Sequence, residues 1–367
     1  MSNIIYFIEI FFLSLTLVRG THFLGGTITW HPLDPLDTGS PVKIVITQTY
    51  LWTYPIASCS SSTIANSGSV PISSTYNGVT NKLNCVLNCA TATGYNAPYI
   101  LPYCTDVSTV QATSIGQRSD IVSVVRNADF TVAFSDTAWR ALQTNSAATW
   151  SLASRIKLTP RSDTGYYNNA PVATVMSPIN IRRNIATVID IPIADADNDP
   201  MRCRWASGST ECEDVCPPGS LPSSTIIYPN CTIIITGTIL DAWYAVTVQV
   251  EDFIDSSSTT PLSSVPVQFL VHVVASPSCT ILPYVFELSN RTCIPVGVGQ
   301  TFTTRLYAIN SCGSGVTILD IATLSFSGMV QSNLIKESSV VYYKTLTWTP
   351  TSSQVGFQVM CAMAIDR

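Results

Sequence analysis

"YAVTVQVED", residues 244–252, sets valines at 246, 248 and 250 and fills the alternate positions with Ala245, Thr247 and Gln249. A period of two in β-branched residues is the signature of an extended strand with one buried face. The same period recurs in "VQFLVHVV" (267–274), with Val267, Phe269, Val271 and Val273, and in "TWSLASRIKL" (149–158), with Trp150, Leu152, Ile156 and Leu158. Clusters of Pro, Gly, Asn and Ser separate these runs, and no stretch shows a helical period capped at both ends. The chain is therefore expected to be all-β.

Polar or Pro-marked breaks fall at "RSDTGYYNNAP" (161–171) and "VVASPSCT" (273–280). Residues 1–20 read as a signal peptide, an apolar run from Ile4 to Val18 with Val18 and Gly20 at the −3 and −1 positions. The remainder divides into 21–165, 166–275 and 276–367, and the later two have the size of β-sandwiches. The expectation is three tandem β-sandwich domains, each stapled by disulfides. In the third, "VGFQVMCAMAIDR" reaches the point where segment two has "YAVTVQVED", but the sequence stops at Arg367 before a closing strand. A truncated last sandwich is expected, with a continuing chain supplying that strand.

The twelve cysteines fall into quartets, Cys59, Cys85, Cys89 and Cys104, then Cys203, Cys212, Cys216 and Cys231, then Cys279, Cys293, Cys312 and Cys361. Even counts within each segment suit local disulfides, which persist in oxidising compartments. Each quartet allows three pairings. With only three histidines in the chain, zinc is the weaker use of Cys-x-x-x-Cys. Asn230-Cys-Thr and Asn290-Arg-Thr are N-glycosylation acceptors in an exported protein. The expected location is secreted or cell-surface. A formal net charge of −5 argues against nucleic acid as a partner. No later apolar run is long enough to insert in a membrane.

"PIADADNDPM" (192–201) carries Asp195, Asp197 and Asp199 at alternate positions. Alternating carboxylates on extended chain can hold calcium, which takes six to eight oxygens; Asp-Asn-Asp-Pro is equally an ordinary turn. Segment two resembles an extracellular cadherin-like repeat, a calcium-dependent sandwich. The resemblance runs over 168–275, through "NNAPVATV" at its entrance, "IADADNDPMRCRW", and "YAVTVQVED" with "VPVQFLVHV" at its close. It implies Asp195, Asp197 and Asp252 as calcium ligands, with Asn169 at the entrance, and no other cofactor. The family's Leu-Asp-Arg-Glu motif survives only as Leu240-Asp241, followed by Ala242 and Trp243, so a single site is implied rather than a three-ion cluster. Segment three, through "LTWTPTSSQVGFQVMCAMAID" over 280–367, is similar to Ig-like, cadherin-related modules. The arrangement as a whole looks like secreted multidomain surface proteins of invertebrates.

Enzyme signals are sparse. Asp37-Thr-Gly and Asp163-Thr-Gly match the paired loops of aspartic proteases, but both follow polar, turn-like sequence rather than buried strands. His22, His31 and His272 lie beside no nucleophile motif. Trp30, Tyr50, Trp52 and Tyr54 could form a carbohydrate platform or part of a sandwich core. The sequence thus favours a non-enzymatic extracellular structural, adhesion or recognition protein, with a protein or glycan as partner. A carbohydrate-binding first domain is the alternative and an aspartic-type protease the distant one.

Overall fold

The computed structural model describes residues 23–70, 81–286 and 294–366. The signal peptide, His22, Cys293 and the Asn290 acceptor lie outside them. Strands make up nearly all the regular structure of the described chain, with only short helical turns between them, as the two-residue period requires. The widest sheet runs Asn84–Leu87, Asp129–Thr137, Thr149–Lys157, Ser263–Val274, Phe23–Pro32, Val42–Thr53, Thr113–Val124 and Tyr103–Ser108.

Ser263–Val274 organises this sheet. One edge pairs antiparallel with Trp243–Asp252 along its whole length, from Ser263 opposite Asp252 to His272 opposite Trp243. The other edge serves three partners in turn: Ser264 pairs with Arg155, Val267 to Phe269 with Thr27 to Gly25, and Val271 to Val274 in parallel with Ile179 to Arg182. Strands of 21–165 and 166–275 therefore share one sheet, and one hydrophobic core runs from Phe23 through Trp150 to Val273.

Gly25 permits that junction, and Gly26 beside it the close approach of the hairpin partner Val42–Thr53. Gly25 has φ +141°, and a Cβ there would lie 2.3 Å from the Gln268 carbonyl oxygen. A Cβ on Gly26 would lie 2.6 Å from the Thr49 carbonyl oxygen. Gly25→Ala should cost about 1–3 kcal/mol, through backbone strain and separation of the paired strands. Urea denaturation measures the loss, and an unchanged midpoint would show that the junction tolerates the side chain.

Above this contact Phe23 stacks on Trp150 at 4.4 Å between ring centroids and meets Trp52 edge-on at 5.3 Å. Trp30, Tyr50 and Trp52 are buried and Tyr54 half-buried. Of the four aromatics weighed as a carbohydrate platform, three are core. Sequence alone cannot separate these outcomes, because alternate aromatics suit either face of a strand.

In segment three, Phe302–Ile309 and Val341–Trp348 form the centre of one sheet, and Ile318–Leu324 pairs with Cys361–Asp366 in a second. Leu306, Ile321, Tyr342 and Leu346 fill the space between. A polar seam joins Ile318–Leu324 to the first segment. Asp106 accepts from the Thr323 amide at 2.6 Å, the Ser108 hydroxyl donates to Asp320 at 2.6 Å, and Lys344 pairs with Asp320 at 2.7 Å.

The structure selects one pairing in each of the first two quartets, Cys59–Cys104 with Cys85–Cys89 and Cys203–Cys231 with Cys212–Cys216, and joins Cys279 to Cys312 in the third. Cys361, expected in a disulfide, is a thiol with no disulfide partner among the described residues. It packs against the Thr174 carbonyl, and burial pushes its pKa up to about 12. Among the described residues no helix is long and apolar enough to cross a membrane.

Candidate metal centre

The acidic run leaves the strand Ile193–Ala194 and turns back before Met201–Trp205. Asn198 takes the left-handed conformation, φ 59°, that the reversal needs. Asp195 fastens the turn, its Oδ1 accepting from the amides of Asp197 at 2.8 Å and Asp199 at 3.0 Å. Met201 then pairs with Asp252, which brings the end of "YAVTVQVED" against the loop.

Ligand atoms of Asp195, Asp199 and Asp252 all lie within 4.8 Å of one another, and all three residues are buried. Asp252 Oδ1 accepts from the Ser263 amide and hydroxyl, each at 2.7 Å, while Oδ2 accepts from Asn168 Nδ2 at 2.6 Å. Asp195 Oδ2 is buried and has no hydrogen-bond partner among the described residues. Burial first, and then the neighbouring carboxylates of Asp252, Asp199 and Asp197, push Asp195 up to about 7. Burial also raises Asp252 against the pull of its hydrogen bonds from Asn168 and Ser263.

One basic side chain serves this group. Arg161, 5% exposed at its side chain, chelates both oxygens of Asp199, with Nη2 at 2.7 Å from Oδ1. It also pairs with Asp163 at 2.8 Å and Asp197 at 3.3 Å. These hydrogen bonds, led by the one to Asp163, hold its pKa above the ordinary value. No hydrogen bond or ion pair joins Arg161 to Asp195 or Asp252, so the two carboxylates with raised pKa are those without a cation.

Of the four residues implied by the cadherin-like resemblance, Asp195 and Asp252 meet here. Asp197 does not: its oxygens face Asn169, accepting from the amide and from Nδ2, each at 2.8 Å. Asn169 thus acts as a donor to Asp197. Asp199 takes the third place, because the turn at Asn198 carries it back over Asp195. Asp199 was visible in the run itself and Asn168 opens the "NNAP" entrance without having been singled out, whereas Arg161 gave no signal beyond its place in the 161–171 break. Asp241 stands apart, its carboxylate 3.7 Å from His272. The Asp-Thr-Gly aspartates also hold local roles, Asp37 accepting from the Gly39 amide at 2.8 Å and Asp163 from Arg161.

Three carboxylates, with the orphaned Asp195 oxygen among them, offer oxygen donors of the kind that hard cations take. No protein-family model matches the chain, and no curated protein matches it. Among solved structures it aligns with a chain described as "Structural basis for Dscam isoform specificity", at 9% identity and covering 89% of this chain and 92% of that one. The TM-score is 0.18, and a superposition that loose carries no argument about fold or function.

Proposed function

We propose that the chain is an extracellular structural, adhesion or recognition protein of disulfide-stapled β-sandwich modules, whose second segment is pinned by one calcium ion between its acidic loop and the end of the strand Trp243–Asp252. The observation that carries the ion is Asp195 Oδ2, buried without a partner beside Asp252 and Asp199. Asp195, Asp199 and Asp252 would hold it, with water completing the coordination shell. Bound calcium supplies the positive charge that Arg161 does not bring to Asp195 and Asp252. The cadherin-like order of Asp195 and Asp252 in the sequence supports the same reading, as do the five disulfides among the described residues, which suit an oxidising compartment.

The role that follows is mechanical. The acidic loop, the linker through Asn168, and the Asp252–Ser263 corner come from three parts of the chain, and a shared ion fixes their relative positions. At the affinity of extracellular calcium modules, ~10⁻⁴–10⁻³ M, a few millimolar calcium should stabilise the fold by about 1–2 kcal/mol by mass action. The test is a thermal melt in calcium against chelator. The midpoint should rise with calcium in the wild type and stay fixed in Asp195→Asn, whereas Asp197→Asn should keep most of the rise. An identical midpoint with and without calcium in the wild type would remove the ion from the account.

A further inference from the structure

A cavity of about 230 Å³ lies where the three segments meet. Its floor is the face of the first hairpin that points away from the aromatic core, with Thr27 opposite Thr49 and Thr29 opposite Thr47. Residues 170–174 wall one side, and residues 356–359 reach across from segment three.

The lining defines a ligand. No Asp, Glu, Lys or Arg borders the cavity, so a charged guest would be stranded without a counterion. Most of the lining surface is apolar, from Ala170, Val172, Ala173, Leu324, Phe357 and Val359. Three of the floor hydroxyls are already engaged: Thr29 with the Pro171 carbonyl, Thr47 with Ser119 and Thr49 with Gln117.

His31 is different. Its Nδ1 lies 3.0 Å from the Pro32 carbonyl, which can only accept, so Nδ1 carries the proton and Nε2 is left as a bare acceptor. Burial lowers the pKa of this histidine and keeps it neutral. Gly356, at φ +112°, roofs the ring so closely that a Cβ would stand 3.3 Å from Nε2. No hydrogen bond to Nε2 is present among the described residues. A cavity of ~150 Å³ holds benzene, so this one accommodates a substituted ring.

We propose that the cavity binds a small uncharged ring compound bearing a hydroxyl group, with the hydroxyl donating to His31 Nε2 and the ring among the aliphatic walls. Burial of the ring supplies the attraction, and the bare Nε2 acceptor, beside the buried and unpartnered hydroxyls of Thr27 and Thr174, selects a hydroxyl over a hydrocarbon.

The test uses p-cresol, toluene and p-methylanisole, titrated calorimetrically into the full chain. Wild type should bind p-cresol saturably and roughly three- to tenfold more tightly than toluene, the value of one buried hydrogen bond. The methyl ether cannot donate, so p-methylanisole should bind no better than toluene. His31→Leu should bind p-cresol and toluene alike, with toluene reporting that the cavity is intact. Three results would each overturn the proposal: no saturable binding of any probe to wild type, p-methylanisole matching p-cresol, or a p-cresol preference that survives in His31→Leu. Should His31→Leu fail to fold, the wild-type comparison of the phenol with its methyl ether decides alone.

Discussion

Arg161→Met should destabilise the calcium-free protein by about 3–5 kcal/mol, the usual cost of removing one partner from a buried ion pair. Methionine keeps much of the side-chain volume and leaves no large void, so the loss reports charge and hydrogen bonds rather than packing. Asp199 would be left buried with neither oxygen paired to the guanidinium it now chelates. Asp163, being exposed, contributes little to the cost. Arg161→Lys should fall between wild type and Met, since an ammonium restores the charge but cannot span both oxygens. Urea denaturation in chelator gives the numbers. If the calcium reading holds, millimolar calcium should recover part of the Met variant's loss, because a divalent ion would supply the missing charge. A loss below about 1 kcal/mol would mean that Asp199 is relieved by water, contrary to its burial.

The same cluster predicts an inverted pH dependence. Asp195 titrates near 3.8 in an unfolded chain and about 7 in the folded one. Its carboxyl is thus easier to bury protonated. The stabilisation from the protonated form is fully present below 3.8 and is lost as the pH rises through about 7. At roughly 1.4 kcal/mol per unit, the whole window corresponds to about 4 kcal/mol, about half of it between pH 5.5 and 8. Asp252, raised by burial, acts in the same direction. Calcium-free protein should therefore be more resistant to urea at pH 5.5 than at pH 8. Asp195→Asn should flatten that difference, and so should saturating calcium, which holds the carboxylate ionised at both pH values. A calcium-free protein more stable at pH 8, with Asp195→Asn unchanged in slope, would place the Asp195 carboxyl in contact with solvent.

Strand identity was legible in the sequence because apolar residues alternate with Thr, Ser and Gln along each strand, although both faces of these strands are buried. "YAVTVQVED", "VQFLVHVV" and "TWSLASRIKL" all form strands where the alternation places them. What alternation cannot record is the neighbour. The sharing of Ser263–Val274 between segments depends on Gly25, whose importance is the absence of a side chain and so leaves no hydrophobic trace. The candidate site was half legible for a related reason. Asp195 and Asp252 follow from a resemblance in spacing, whereas the choice of Asp199 over Asp197 is made by a left-handed Asn198. Arg161 belongs to "RSDTG", a turn-like stretch with no pattern of its own; only the folded linker shows it reaching Asp199. The cysteine pairings were likewise fixed by distance in space, which no count within a quartet contains.

The strand Ser263–Val274 also sets the order in which the chain can mature. Gly25 waits for Phe269, roughly 240 residues downstream, and pairings of such long range are slow to form. At a synthesis rate of ~5–20 residues per second, the first hairpin stands with an open edge for on the order of ten seconds or more before its partner exists. That edge has the hydrogen-bonding groups on which foreign strands assemble. Production of the first segment without residues 263–274 should therefore give material prone to self-association, and a chaperone that shields one edge of Phe23–Pro32 would be the assistance this molecule most needs.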